Sequence, residues 1–224
     1  MFLNKKEKIN SKIKAVIFDV GGVLALPKYP VKLIQDIYCN GRPIHKNTHV
    51  HETITTKLRI AIDQWFDAID TAYVKSITGD LPEESVVKII SDNLKISPKK
   101  LVKIVVKAYR LNFEQNKELY KFAFKLKKQR YKIAILSDQW QLSKKALVLP
   151  KYMKKFDEVV ISCDIGLRKP DPKIFKLLLT KLKLKPSQCL FIDNQKWNTD
   201  VAKKLKFKTI LYKDNKQLFI QLGK

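Results

Sequence analysis

The stretch Ile13-Lys14-Ala15-Val16-Ile17-Phe18-Asp19-Val20-Gly21-Gly22-Val23-Leu24 joins a short apolar, β-branched run to an acidic residue and a glycine pair. An apolar run of this length bounded by turn residues reads as a buried strand, here over 13–18, and Gly21-Gly22 reads as the tight turn after it. Asp19 then stands at the carboxyl end of the strand. Working outward, similar runs recur: 132–136 ends in Ser137-Asp138, 158–161 runs into Ser162-Cys163-Asp164, 189–192 ends in Asp193-Asn194, and 208–212 lies near the C-terminus. Helical patterns over 118–129, 172–182 and 199–205 separate them, each long enough to be a crossover helix. Strands alternating with helices imply an α/β fold with a doubly wound parallel sheet.

The stretch from Pro30 to Asn116 breaks the alternation. Its apolar residues recur at helical spacing, as in Ile60, Ile62, Trp65, Phe66 and Ile69, or Leu101, Ile104, Val105 and Ala108, and it contains no convincing strand. Gly79-Asp80-Leu81-Pro82 and Ser97-Pro98 punctuate it as helix starts, and Glu83 and Glu84 fall in a first turn, where the helix dipole favours acidic groups. The expected organisation is an α/β core from residues 1–29 and 117–224, with a helical insertion over 30–116. A chain of 224 residues suits one core domain carrying a smaller insertion.

Composition narrows the function classes. With 45% hydrophobic and 30% charged residues the chain is of the globular type, and no apolar run is long enough to span a bilayer. Residues 1–14 are rich in Lys and Asn, and the apolar run after them is too short for a signal-peptide core, so a cytoplasmic location is the default expectation. Cys39, Cys163 and Cys189 are odd in number and lack C-x-x-C spacing, which argues for reduced thiols rather than disulfides or a zinc site. The formal charge of +25 invites a nucleic-acid reading. The cations, however, are nearly all Lys scattered along the chain, whereas phosphate and base recognition favours clustered Arg forks. No specific nucleic-acid partner and no membrane are expected, and the oligomeric state stays open.

In an open parallel sheet, ligands bind outside the carboxyl ends of the strands. The strings at those ends resemble the motifs of the haloacid dehalogenase (HAD) superfamily, in its phosphatase-like branch. Phe18-Asp19-Val20-Gly21-Gly22-Val23-Leu24 is similar to motif I and Ile135-Leu136-Ser137-Asp138 to motif II. Gly166-Leu167-Arg168-Lys169-Pro170-Asp171-Pro172-Lys173-Ile174-Phe175 is similar to motif III, and Phe191-Ile192-Asp193-Asn194 with Asn198 to motif IV. The insertion has the position and length of the family's helical cap. The resemblance implies a Rossmann-like core and a hydrolase acting on a small phosphorylated metabolite with Mg²⁺. It makes Asp19, Ser137 and Lys169 catalytic and places Gly21, Gly22, Asp138 and Trp140 about the substrate. It assigns the metal to Asp19, the Gly21 carbonyl and the Asp193-Asn194 pair.

Each role has a chemical reason. A carboxylate on a Gly-rich turn can approach phosphorus and form an acyl-phosphate, which divides hydrolysis into two easier steps. Ser137 can donate a hydrogen bond to a phosphoryl oxygen, and Lys169 can neutralise both Asp19 and the charge that develops on the phosphoryl group.

Two positions depart from the family pattern. A second Asp, serving as general acid and base, usually stands where Gly21 stands, and that role is worth about 10²- to 10⁴-fold in rate. Where Asn198 sets the register, the metal-binding Asp falls on Asn194, and Asp193 is the adjacent carboxylate that could take over. Slow turnover and weak Mg²⁺ binding are therefore expected. The pattern also leaves open a metal-independent dehalogenase-like hydrolase and a catalytically inactive HAD-fold binding or regulatory protein. Among weaker features, His45, His49 and His51 read as surface or cap-edge histidines rather than metal ligands. Trp65, Phe66 and Tyr73 read as cap packing, while Trp140, just after motif II, can either wall the pocket or pack.

Overall fold

The computed structural model of the chain describes residues 12–29, 38–39, 42–43 and 48–223. Its strands are β1 (Ala15–Phe18), β2 (Ala25–Pro27), β3 (Tyr38–Cys39), β4 (Arg42–Pro43), β5 (Phe113–Gln115), β6 (Lys132–Ser137), β7 (Glu158–Ile161), β8 (Cys189–Asp193) and β9 (Lys208–Leu211). Its helices are α1 (Thr48–Leu58), α2 (Ile62–Ile77), α3 (Glu83–Leu94), α4 (Pro98–Asn112), α5 (Lys117–Lys128), α6 (Gln141–Leu147), α7 (Pro150–Met153), α8 (Ser162–Ile165), α9 (Pro172–Leu182), α10 (Lys196–Lys204) and α11 (Asn215–Gln221).

A five-stranded sheet in the order β7-β6-β1-β8-β9, parallel throughout, forms the α/β core. Its strands read as continuous apolar runs because both faces are covered. On one face Val16, Phe18, Ile133, Ile135, Leu190 and Ile192 pack with Leu119, Ala123 and Leu126 of α5. On the other, Ile17, Ala134, Leu136 and Phe191 pack with Ile174, Phe175 and Leu178 of α9 and Ala202 of α10. The alternation along each strand thus divides one apolar sequence between two cores.

The chain runs outward from β1 through β6 to β7, then crosses back to β8 and β9 on the far side of β1. Loops leaving β1 and β8 diverge, and a crevice opens at that reversal of strand order. The register pairs Phe18 with Ile192, so the next residues, Asp19 and Asp193, emerge side by side into the crevice.

Helices α1 to α4 lie between β1 and β6 in the chain. They pack around Val50, Ile54, Trp65, Ile69, Val86, Ile90, Leu101 and Val105, all buried, and the core residues Trp140 and Leu142 join the same cluster. Burying each such aliphatic side chain contributes roughly 1.5–3 kcal/mol, so this bundle carries its own hydrophobic stabilisation. Ser97 accepts a hydrogen bond from the Lys100 amide and caps α4, and Pro98 occupies the first turn, where its missing N–H costs nothing.

The structure differs from the sequence reading in this stretch, because short strands do occur there. Strands β3 and β4 pair antiparallel, and β5 pairs antiparallel with β2, with Ala25 opposite Gln115 and Pro27 opposite Phe113. Strand β5 follows α4 without a break, and its partner lies far away in sequence, so no local alternation announces it. The pair ties together the two points at which the chain leaves and re-enters the sheet, with Asn116 N donating to the Leu24 carbonyl at 2.9 Å. No helix among the described residues is long and apolar enough to cross a membrane.

Candidate active site

Asp19 occupies the first position after β1 and is 7% exposed. The Val20 amide donates to its Oδ1 at 2.7 Å, which fixes the carboxylate against the turn. That turn needs Gly22. Its φ is +79°, and a Cβ built there would lie 2.2 Å from Asn194 Nδ2. Gly22 thus permits both a left-handed backbone and the close seating of the Asn194 side chain. Gly21 differs, since a Cβ there would meet only Gln139 Nε2, at 3.9 Å.

Lys169 reaches this point from the loop before α9 and is buried, with 2% exposure. Its ammonium lies 3.1 Å from Asp19 Oδ1 and 2.6 Å from Asp193 Oδ2. A buried ammonium survives only with such compensation. Burial alone would depress Lys169, but the Asp19, Asp193 and Asp138 carboxylates outweigh it and hold the group above its ordinary value. Burial pushes the Asp19 carboxyl up to about 7, opposed by Lys169 and by a hydrogen bond from Ser137. Asp193 is held on every side: Gln195 N donates to Oδ1 at 2.7 Å, and Asn198 Nδ2 joins Lys169 on Oδ2 at 3.1 Å.

Ser137 closes β6 and is fully buried. Gln139 Nε2 donates to its Oγ at 3.0 Å, so the hydroxyl proton is left to point elsewhere, toward Asp19. Gln139 is itself clamped, its amide donating to Ser162 Oγ at 3.0 Å and its carbonyl accepting from the same hydroxyl at 3.2 Å. Asp138 turns from the nucleophile to the motif III loop, where its Oδ1 accepts from the Lys169 amide at 3.0 Å and its Oδ2 lies 3.8 Å from Arg168 Nε. Trp140 is 3% exposed at the seam between sheet and helical bundle. Its indole donates to the Tyr109 hydroxyl at 3.0 Å, and its ring meets Tyr73 edge-on.

The sequence-derived residues Asp19, Ser137, Lys169 and Asp193 therefore converge directly, and Gly22 and Asn194 pack together beside them. Sequence reasoning passed over Gln139. A glutamine two residues past a strand end carries no periodic or motif signal, and only the fold reveals that it faces both Ser137 and Gly21. As a cation site, the donors that fit are the Asp19 carboxylate, the Gly21 carbonyl on the same turn, and Asn194 Oδ1, which is buried without a hydrogen-bond partner. The Asp193 oxygens are already engaged, and the described residues hold no cluster of three or more His, Cys, Asp or Glu suited to a metal. Of the three histidines, His45 lies outside the described residues, as does the Cys39 side chain. His49 pairs with Glu52 at 3.3 Å, and His51 Nδ1 accepts from the Trp65 indole at 2.8 Å. Trp65 is wholly buried in the helical bundle, and Phe66 and Tyr73 pack against the same cluster.

Known proteins are similar to this chain in sequence or in fold. Bifunctional epoxide hydrolase 2 of Sus scrofa is 27% identical over 95% of the chain, although the chain spans only 38% of that relative's length. Among solved structures, a HAD family enzyme of Bacteroides thetaiotaomicron in complex with magnesium and inorganic phosphate superposes with a TM-score of 0.66 at 19% identity, over 92% of this chain and 99% of that one. The L-2-haloacid dehalogenase of Xanthobacter autotrophicus, with chloropropionic acid covalently bound, gives a TM-score of 0.54 at 17% identity, over 92% and 80% of the two chains. Residues 13–205, which run from just before β1 to just past α10, match the haloacid dehalogenase-like hydrolase family, and the chain belongs to that family.

Proposed function

We propose that this hydrolase is a phosphatase acting on a small phosphorylated metabolite through an aspartyl-phosphate on Asp19. The observation that carries this reading is the buried ammonium of Lys169 bridging Asp19 and Asp193 at 3.1 and 2.6 Å. It opposes the protonation that burial favours at Asp19, and it places fixed positive charge where an incoming phosphoryl group brings negative charge. In the first step an Asp19 oxygen bonds to phosphorus and the leaving oxygen departs with its electron pair. In the second, water attacks phosphorus, the bond to Asp19 breaks and inorganic phosphate leaves. Ser137, its hydroxyl oriented by Gln139, donates to a phosphoryl oxygen in both steps. Lys169 offsets the charge of the nucleophile and then of the released carboxylate.

Mg²⁺ held by Asp19, the Gly21 carbonyl and Asn194 would shield the carboxylate from an anionic substrate. The orphaned amide oxygen of Asn194 supports this assignment over Asp193, whose oxygens already hold Gln195, Asn198 and Lys169. A neutral amide in place of a carboxylate makes the site a weak one. The same scarcity of carboxylates favours a second reading, a metal-independent hydrolase that forms an ester on Asp19.

A screen of small phosphometabolites with and without Mg²⁺ tests the proposal. Phosphate release that requires Mg²⁺ and disappears in Asp19→Asn is expected. Activity retained by Asp19→Asn would overturn it, and activity indifferent to chelation would favour the second reading.

A further inference from the structure

Breaking a phosphate ester expels an oxygen with a full electron pair, and what becomes of that pair decides which esters react. An alkoxide is so basic that it departs only with a proton delivered to it, whereas a phenolate, enolate or carboxylate departs unaided. The proton donors available beside Asp19 therefore decide the substrate class. Lys169 is locked between two carboxylates, which oppose loss of its proton. Asp193 accepts from three donors, and Asp138 faces the Lys169 amide and Arg168 rather than Asp19. Beside the nucleophile, Gly21 has no side chain, and among the described residues, its chain neighbours aside, the group within 4 Å of where its Cβ would stand is the Gln139 amide nitrogen, at 3.9 Å.

That nitrogen spends one N–H on Ser137 and carries a second. An amide donates a hydrogen bond but no proton at neutral pH. Gln139 is 6% exposed and clamped by Ser162 through both its backbone groups, so its placement is set by the fold. Among the described residues, the group that faces this side of the nucleophile is a neutral donor.

On the basis of the phosphatase reading, we propose that the substrates of this site are phosphates with an acidic leaving oxygen, meaning acyl, enol or aryl phosphates, and that Gln139 stabilises the departing oxygen by hydrogen bonding. The Asp19 oxygen–phosphorus bond forms as the phosphorus–leaving oxygen bond breaks. The leaving oxygen departs as an anion and takes its proton from solvent. Alkyl phosphates such as sugar primary phosphates are poor substrates.

The test compares kcat/KM for acetyl phosphate and p-nitrophenyl phosphate with that for glycerol phosphate, each with Mg²⁺, in the parent, Gly21→Asp and Gly21→Asn. The parent is expected to favour the first two over glycerol phosphate by about 10²-fold or more, the range that a general acid normally erases. Gly21→Asp, whose Cβ would meet only the Gln139 side chain at 3.9 Å among the described residues beyond its chain neighbours, is expected to reduce that ratio at least about tenfold, while the isosteric Gly21→Asn leaves it as in the parent. Comparable parental rates on all three substrates, or Asn acting as well as Asp, would overturn the inference while leaving a phosphatase. Absence of activity on every phosphate would overturn the phosphatase reading, and this inference with it.

Discussion

Replacing Lys169 by Met keeps most of the side-chain volume and removes the charge. The ammonium lies 3.1 Å from Asp19 Oδ1 and 2.6 Å from Asp193 Oδ2 in a site where Asp193 is wholly buried. Its loss leaves two carboxylates in one dry crevice. Removing one partner from a buried ion pair costs about 3–5 kcal/mol, because the remaining charge is left uncompensated. For a protein of this size each kcal/mol moves Tm by about 2–4 °C, so a fall of roughly 6–20 °C is expected at pH 8. The loss depends on pH in a definite sense. Burial already pushes the Asp19 carboxyl up to about 7, and without Lys169 to oppose it the group moves higher. A carboxyl whose folded value exceeds its unfolded value of about 3.9 binds its proton more tightly in the folded state. Its stabilising contribution is full below the unfolded value and is lost as pH rises through the folded one. Lys169→Met should thus be closer to the parent at pH 5 than at pH 8, by scanning calorimetry at both. A variant within about 2 °C of the parent at pH 8, or one hurt more at pH 5, would refute the view that Lys169 compensates ionised carboxylates.

Three other outcomes follow from particular contacts. Gly22→Ala must hold a non-glycine residue at φ +79° and displace Asn194, so a loss of at least about 1–2 kcal/mol in urea unfolding is expected, and an unchanged midpoint would contradict it. Asn194→Asp adds a carboxylate at the cation site, and calorimetry should show tighter Mg²⁺ binding than in the parent; no gain would return the ligand role to Asp193. Burial pushes the Cys163 thiol up to about 11 and the Cys189 thiol up to about 12, so the thiolate fraction of both is small at pH 8 and grows only as pH approaches those values. Peptide mapping after brief iodoacetamide treatment at pH 8 should find both unmodified, and fast labelling of either would show that its pocket opens.

The sheet was legible because each strand is an apolar run ended by a polar residue, and burial on both faces makes those runs continuous. That logic located β1, β6 and β8 and, with them, Asp19, Ser137 and Asp193. Helix α9 was legible at both ends from Pro172 and the apolar spacing after it. Strand β5 was not, because its pairing with β2 is made across the whole helical insertion rather than within any local pattern. In the site, the residue types and their order were readable, but the division of labour was not. Two adjacent residues, Asp193 and Asn194, are equivalent as text. Only the structure shows the first saturated by Lys169, Gln195 and Asn198 and the second with a buried oxygen lacking a partner. Trp140 was open to two readings for the same reason, and its bond to Tyr109 records a packing partner that no sequence interval supplies. Gln139 depends on two close approaches, to Ser137 and to Gly21, from separate strand ends.

The central claim is that Asp19 carries the phosphoryl group between the two steps. Brief exposure of the protein to acetyl phosphate and Mg²⁺, an acid quench that preserves acyl-phosphates, and peptide mass mapping test it most directly. The expected result is a phosphoryl group on the peptide containing Asp19, absent when Mg²⁺ is chelated and absent in Asp19→Asn. Phosphate release without any labelled peptide, or a label on another residue that persists in Asp19→Asn, would contradict the account.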